Sequence, residues 1–301
     1  RISGADSILA SPSLVGNLVE FLKEGNSTVP ALKTVFTGGG TVSTKLIETV
    51  ARVFPEAAIS TVYGSSEAEP IAHIKECERT QKDRDLSRRG AGLLVGRVID
   101  EIDLRILPLD KPDDGIKRYG SHLKVLHGGA DFEAQTGEII VSGAHVVEHY
   151  LCKDDEIGRK LDLEGRRFHR TGDYGYLDNQ GRLWLTGSVA PGNNLSFAAE
   201  EAARAVLKDN LQLAFYKNHL YLETRKSLAP VLFNRLRMAL TFAGPTEIST
   251  VSTTALDRRH NTKIIYRELE KRPLLSGLGR LFKLGDLVPL HEVRVVVVFA
   301  V

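Results

Sequence analysis

Apolar positions recur at helical spacing near the start of the chain. Leu14, Val15, Leu18, Val19 and Leu22 line one helix, with Ser11 as its cap and Pro12 in the tolerated first position. Leu32 to Thr37 reads as a strand ended by Gly38, Gly39 and Gly40. Ser43 then caps a second helix with an apolar face of Leu46, Ile47, Val50 and Val53. A further strand, Ala58 to Val62, is followed by Tyr63-Gly64-Ser65-Ser66-Glu67. This alternation predicts a parallel α/β sheet, with the triple glycine and the Tyr63 to Glu67 segment at its ligand-binding edge.

Beyond Gly96 the periodicity shortens to two. Glu101 to Leu107 alternates, His122 to Leu126 does so weakly, and Glu138 to Ser142 is apolar, with turns such as Pro112 to Gly115 between them. These predict an antiparallel β region packed beside the first sheet. Phe168 to Asp173 reads as a short loop leading into a hairpin, Tyr174 to Leu177 and Arg182 to Thr186, around Asp178-Asn179-Gln180-Gly181. A third texture follows a linker at Ser188 to Asn194: a helix at Phe197 to Leu207, one or two strands in Ala214 to Glu223, a helix at Leu228 to Phe242, and a β-branched run at Thr246 to Thr254. Lys263 to Arg272 is a short charged segment, and the pattern is that of a small α+β domain. The closing run, Val295 to Val301, should lie inside a sheet or continue into further sequence.

Composition narrows the classes without naming one. The chain of 301 residues is 42% hydrophobic and 26% charged with a net charge of +2, so nothing global points to nucleic acid or a membrane surface. The run Lys75 to Arg89 mixes signs and reads as a solvated loop. Cys77 and Cys152 lack metal-ligand spacing, no apolar run is long enough to cross a bilayer, and no signal peptide opens the chain. The expected setting is reducing and cytoplasmic.

Candidate chemistry sits in four places. Asp173 follows a glycine that lets a ligand approach the backbone, an arrangement suited to paired ribose hydroxyls; the plain alternative is a loop cap. Tyr63 offers a stacking face, Ser66 a hydroxyl and Glu67 a carboxylate able to bind Mg²⁺; the alternative is a core tyrosine beside a loop glutamate. Gly38 to Gly40 permits close backbone approach yet fits neither a dinucleotide fingerprint nor a phosphate-binding P-loop. Lys263, after the polar lead-in Arg258 to Thr262, is otherwise one surface lysine among many.

Taken in order, these stretches resemble the adenylate-forming superfamily of acyl-CoA synthetases, peptide adenylation domains and luciferases. Thr37-Gly38-Gly39-Gly40 is similar to the family's adenine-site glycines, and Tyr63 to Glu67 to its Y-G-x-[ST]-E motif. Arg170-Thr171-Gly172-Asp173 resembles its [RK]-T-G-D motif, and Asn261-Thr262-Lys263-Ile264 the segment bearing its catalytic lysine. His169 to Asp173, Gly181 to Trp184 and Asp257 to Ile264 are closest in wording to fatty-acid-CoA-ligase-like proteins and olefin-pathway β-lactone synthetases.

The resemblance implies that residues 1–187 are the C-terminal part of a large AMP-binding domain and 188–272 a mobile small lid domain, with 273–301 unassigned. It implies that Gly38, Gly39, Gly40 and Tyr63 hold adenine, that Gly64 and Ser65 also bind the cofactor, that Ser66 meets the α-phosphate and that Glu67 holds Mg²⁺. Asp173 would take the ribose and Lys263 the reacting oxygens. The implied reaction activates a fatty or β-hydroxy fatty acid with ATP and passes the acyl group to CoA or closes a β-lactone. Three features depart from the family: the upstream phosphate loop is missing, Ser188 replaces an arginine, and Val189-Ala190-Pro191 occupies the hinge. They keep two other readings open, a catalytically degenerate nucleotide-binding or interaction protein and a truncated fragment of a longer enzyme.

Overall fold

A computed structural model describes residues 6–24, 32–109, 136–189, 192–207, 211–224, 228–251, 265–271 and 295–297. The segments His122 to Leu126, Pro112 to Gly115 and Asp257 to Ile264, including Lys263, lie outside the described residues, as do Ala190 and Pro191.

Helices and strands form where the caps and periodicities place them. The Ser11 hydroxyl accepts from Leu14 N at the start of α1 (Pro12–Glu24), and that of Ser43 accepts from Leu46 N, 3.2 Å away, at the start of α2 (Thr44–Val53). Both helices bury an apolar stripe, including Val15, Val19, Ile47 and Val50, against one face of the parallel strands β1 (Ser7–Ala10), β2 (Thr34–Gly38) and β3 (Ala58–Ser65). β3 runs on through Tyr63, Gly64 and Ser65, so those residues belong to the strand itself rather than to a loop after it.

The sheet then changes direction. β4 (Ala68–Lys75) returns antiparallel to β3, and β5 (Leu93–Val98), β6 (Ile102–Pro108), β7 (Gly137–Gly143), β8 (Lys160–Leu163), β9 (Arg166–Leu177) and β10 (Arg182–Ser188) follow. Their order is β1-β2-β3-β4-β5-β10-β9-β7-β6, with β8 on β9. The antiparallel region is therefore not packed beside the parallel strands; it is hydrogen-bonded into one mixed sheet with them. β4 and β5 supply that continuity.

A second sheet holds β11 (Leu213–Tyr216), β12 (His219–Glu223), β13 (Glu247–Val251) and β14 (Val295–Val297). Val295 to Val297 pair parallel with Ile248 to Thr250, which gives the apolar run at the end of the chain a place in a sheet. α5 (Pro230–Ala239) packs on α4 (Ser196–Val206), and α6 is Tyr266–Lys271. Ala198, Ala199, Ala202 and Ala203 are fully buried, and these small side chains let α4 fit between β10 on one side and β11 and α5 on the other.

The charged run is not a solvated loop. It contains α3 (Gln81–Leu86), capped by Thr80, and its Asp83 is buried against Arg182 of β10. Arg84 also pairs with Glu76 and Arg88 with Glu48, while Lys75, Glu78, Lys82 and Arg89 remain exposed.

Candidate active site

Asp173 owes its position to an irregularity in β9. Glu138 pairs with Tyr174 and Ile140 with Arg170, so Ile139 alone faces Thr171, Gly172 and Asp173 across the ladder. These three residues bulge out of the strand, where a short loop was expected. Gly172 adopts φ +73°, a left-handed conformation that favours glycine. Thr171 Oγ1 donates to Ile139 O at 2.9 Å and accepts from Asp173 N at 3.1 Å. Ser188 Oγ donates to Gly172 O at 3.0 Å, and Val189 N donates to the same oxygen at 2.8 Å. Ser188 thus pins the bulge from β10.

The bulge aims Asp173 at β3, where the Tyr63 hydroxyl donates to Asp173 Oδ2 at 3.0 Å. Burial and then the Asp173 charge hold the Tyr63 phenol well above its ordinary pKa, so it remains a neutral donor. Both side chains face a cavity of about 790 Å³ at the C-terminal ends of β2 and β3. Gly39, Gly40, Gly64, Ser65, Ser66, Glu67 and Thr171 line the same cavity. Gly38 is not among the lining residues: a Cβ there would fall 2.4 Å from Val62 O, so sheet packing alone demands glycine.

Ser66 and Glu67 occupy the turn between β3 and β4, with Ser66 exposed. Tyr150 OH donates to Glu67 Oε1 at 2.9 Å, and the Glu67 carbonyl accepts from Val147 N at 2.7 Å. Partial burial opposes ionisation of Glu67, yet the Tyr150 hydrogen bond and other donors outweigh it and hold the carboxyl below its ordinary pKa. Beside it, His169 is buried, and desolvation and then the Lys160 charge lower its pKa.

The far wall of the cavity comes from α4 and α6: Phe197, Glu200, Arg204 and Tyr266. Glu201 on the same helix is buried and accepts from Thr44 N at 3.0 Å, tying α4 to the start of α2. Neither Tyr150 nor the α4 and α6 residues stand out in the sequence, because their places depend on contacts between elements far apart in the chain. Among the described residues no group of three or more His, Cys, Asp or Glu is placed to hold a metal, and no helix is long and apolar enough to cross a membrane.

Residues 3–151 match the family of AMP-binding enzymes. The olefin β-lactone synthetase of Stenotrophomonas maltophilia (strain K279a) is 31% identical over 193 residues, which is 61% of this chain and 32% of that protein. The chain thus spans about a third of the length of such curated relatives. Among solved structures, the amide bond synthetase McbA from Marinactinospora thermotolerans has a TM-score of 0.64 at 18% identity, covering 89% of this chain and 52% of that one. O-succinylbenzoate coenzyme A synthetase from Bacillus subtilis, in complex with ATP and magnesium ion, has a TM-score of 0.58 at 19% identity, covering 88% and 51%. Residues 3–151 thus match the AMP-binding enzyme family, and the mixed sheet is similar in fold to those two synthetases.

Proposed function

We propose that this chain is the C-terminal part of an ATP-dependent enzyme that activates a fatty or β-hydroxy fatty acid. A carboxylate oxygen attacks the α-phosphorus of ATP, pyrophosphate leaves and an acyl-adenylate forms. AMP is then displaced by the thiol of CoA or by the acid's own β-hydroxyl, which closes a β-lactone. The observation that carries this reading is the meeting of Gly39, Gly40, Tyr63, Ser66, Glu67 and Asp173, from three separate chain segments, around one cavity.

Asp173, oriented by Tyr63, is suited to the ribose hydroxyls, and Ser66 to the α-phosphate. Glu67 suits Mg²⁺, because its carboxyl is held ionised and a magnesium ion needs only one or two protein carboxylates when phosphates complete its shell. When bound, that ion would offset charge gathering on the phosphate oxygens. Lys263 is assigned the reacting oxygens; Tyr266, shortly after it in the chain, lines the cavity.

The test is acid-dependent ATP–pyrophosphate exchange by the whole protein, across fatty and β-hydroxy acids of graded length. Lys263→Ala should lower exchange roughly a hundred- to a thousand-fold. Exchange unaffected by that change would remove Lys263 from the mechanism. Tight nucleotide binding without exchange would favour a degenerate nucleotide-binding protein instead.

One observation favours a further reading, a fragment that works only against another polypeptide segment. α1 is apolar on two sides: Val15, Val19 and Leu22 face the sheet, while Leu14 and Phe21 are 60% and 66% exposed, and on neighbouring β1 Leu9 is 82% exposed. Helices usually cover both faces of parallel strands. Size-exclusion chromatography distinguishes the cases, since a stable monomer of the isolated chain would remove the need for a covering segment.

A further inference from the structure

Tyr266 is the first residue of α6 and the part of that helix that lines the cavity. Its ring stacks on Tyr216 of β11, with centroids 5.7 Å apart and planes 22° from parallel, and Leu269 and Ala214 close the cluster around the pair. The ring is therefore held against the second sheet while Tyr266 lines a cavity whose opposite wall belongs to the first. Among the described residues its hydroxyl has no hydrogen-bond partner. The charged groups around it are Glu200 and Arg204 of α4 and, across the cavity, Asp173. Burial and then the Glu200 charge raise its pKa, with Asp173 adding to the effect, so the phenol keeps its proton and can donate.

An aromatic held by stacking, whose hydroxyl has no partner among the described residues, opposite a carboxylate already oriented by Tyr63, is matched by a ligand carrying neighbouring hydroxyls between the two walls. We infer that Tyr266 is a positioning residue for the nucleotide: its hydroxyl bonds a ribose hydroxyl from the α6 side while Asp173 holds the ribose from β9. This rests on the adenylate-forming reading and adds to it a contact made across the cavity. It also gives α6 a direct reason to pack on the cavity when nucleotide is present.

The experiment compares binding of ATP, 2′-deoxy-ATP and 3′-deoxy-ATP to the whole protein and to its Tyr266→Phe variant, by calorimetric titration. Phenylalanine keeps the stacked ring, and the thermal melt of each protein reports whether the fold is intact. The expected result is that wild type favours ATP over at least one deoxy analogue. Tyr266→Phe should weaken ATP about two- to ten-fold and lose that share of the preference. A variant that weakens all three nucleotides equally, or none, overturns the assignment, because a purely structural ring would not discriminate between ribose hydroxyls. Wild type that binds none of the three sinks the nucleotide-site reading itself, and this contact with it.

Discussion

Asp83 joins the charged segment of α3 to the hairpin that carries Asp173, and its removal should be felt at neutral pH but not in strong acid. Its carboxylate takes two bonds from Arg182, 2.8 and 3.0 Å long, and two more from Thr80, at 2.9 Å from the amide and 2.8 Å from the hydroxyl. Arg182 also reaches Asp178 Oδ2 at 2.8 Å, and Trp184 Nε1 donates to the same oxygen at 3.0 Å. These donors outweigh desolvation and pull the Asp83 carboxyl from an ordinary 3.8 down to about 2. A displacement of that size corresponds to about 2 kcal/mol of stability. Breaking a buried pair outright costs about 3–5 kcal/mol, but here Asp178 still compensates Arg182, so Asp83→Asn should fall near the lower end, at about 2–3 kcal/mol. Because the folded pKa lies below the unfolded one, the contribution is complete above about pH 5 and fades as pH falls towards 2. Urea denaturation of wild type and Asp83→Asn from pH 7 to pH 2.5 reads both effects. Equal midpoints at pH 7, or a difference that persists undiminished at pH 2.5, would refute the reasoning.

Two other substitutions probe the scaffold. Burial pushes Glu200 up to about 7, so the folded state binds the extra proton and stability declines as pH rises from about 4.5 to 7. Glu200→Gln can still accept from Phe215 N, and denaturant titrations at pH 8 should find it more stable than wild type by about 3 kcal/mol, a gain that vanishes near pH 4. Gly172→Ala forces a side chain into the bulge at φ +73° and should cost about 1 kcal/mol, read as a fall of a few degrees in Tm; an unchanged melt would mean that the bulge does not need glycine.

The local grammar of the chain was readable in advance. Ser11 and Ser43 cap their helices, and Gly181 takes φ +70° in the turn between β9 and β10, because each of these depends on neighbours within a few residues. The continuity of the mixed sheet was not readable, since the β4–β5 pairing joins segments whose spacing carries no register signal. The bulge was hidden for a related reason: Thr171-Gly172-Asp173 breaks the alternation of β9 and so resembles a loop. Asp83, Glu200 and Glu201 are buried charges, and single charged residues carry no mark of burial in a sequence. The candidate site divides the same way. Tyr63, Ser66, Glu67 and Asp173 could be named from their motifs, whereas Tyr150 and Tyr266 emerged only once distant segments were brought together.

The central claim is that the cavity between Gly39, Tyr63, Glu67 and Asp173 holds an adenylate. Calorimetric titration of the whole protein with ATP, and with a non-hydrolysable mimic of a fatty acyl-AMP, tests it most directly. The account predicts one site, tighter for the mimic than for ATP, with affinity for both reduced about ten-fold or more by Asp173→Ala, which removes a charged acceptor of hydroxyl hydrogen bonds. Absence of binding to either ligand, or binding that Asp173→Ala leaves unchanged, would contradict it.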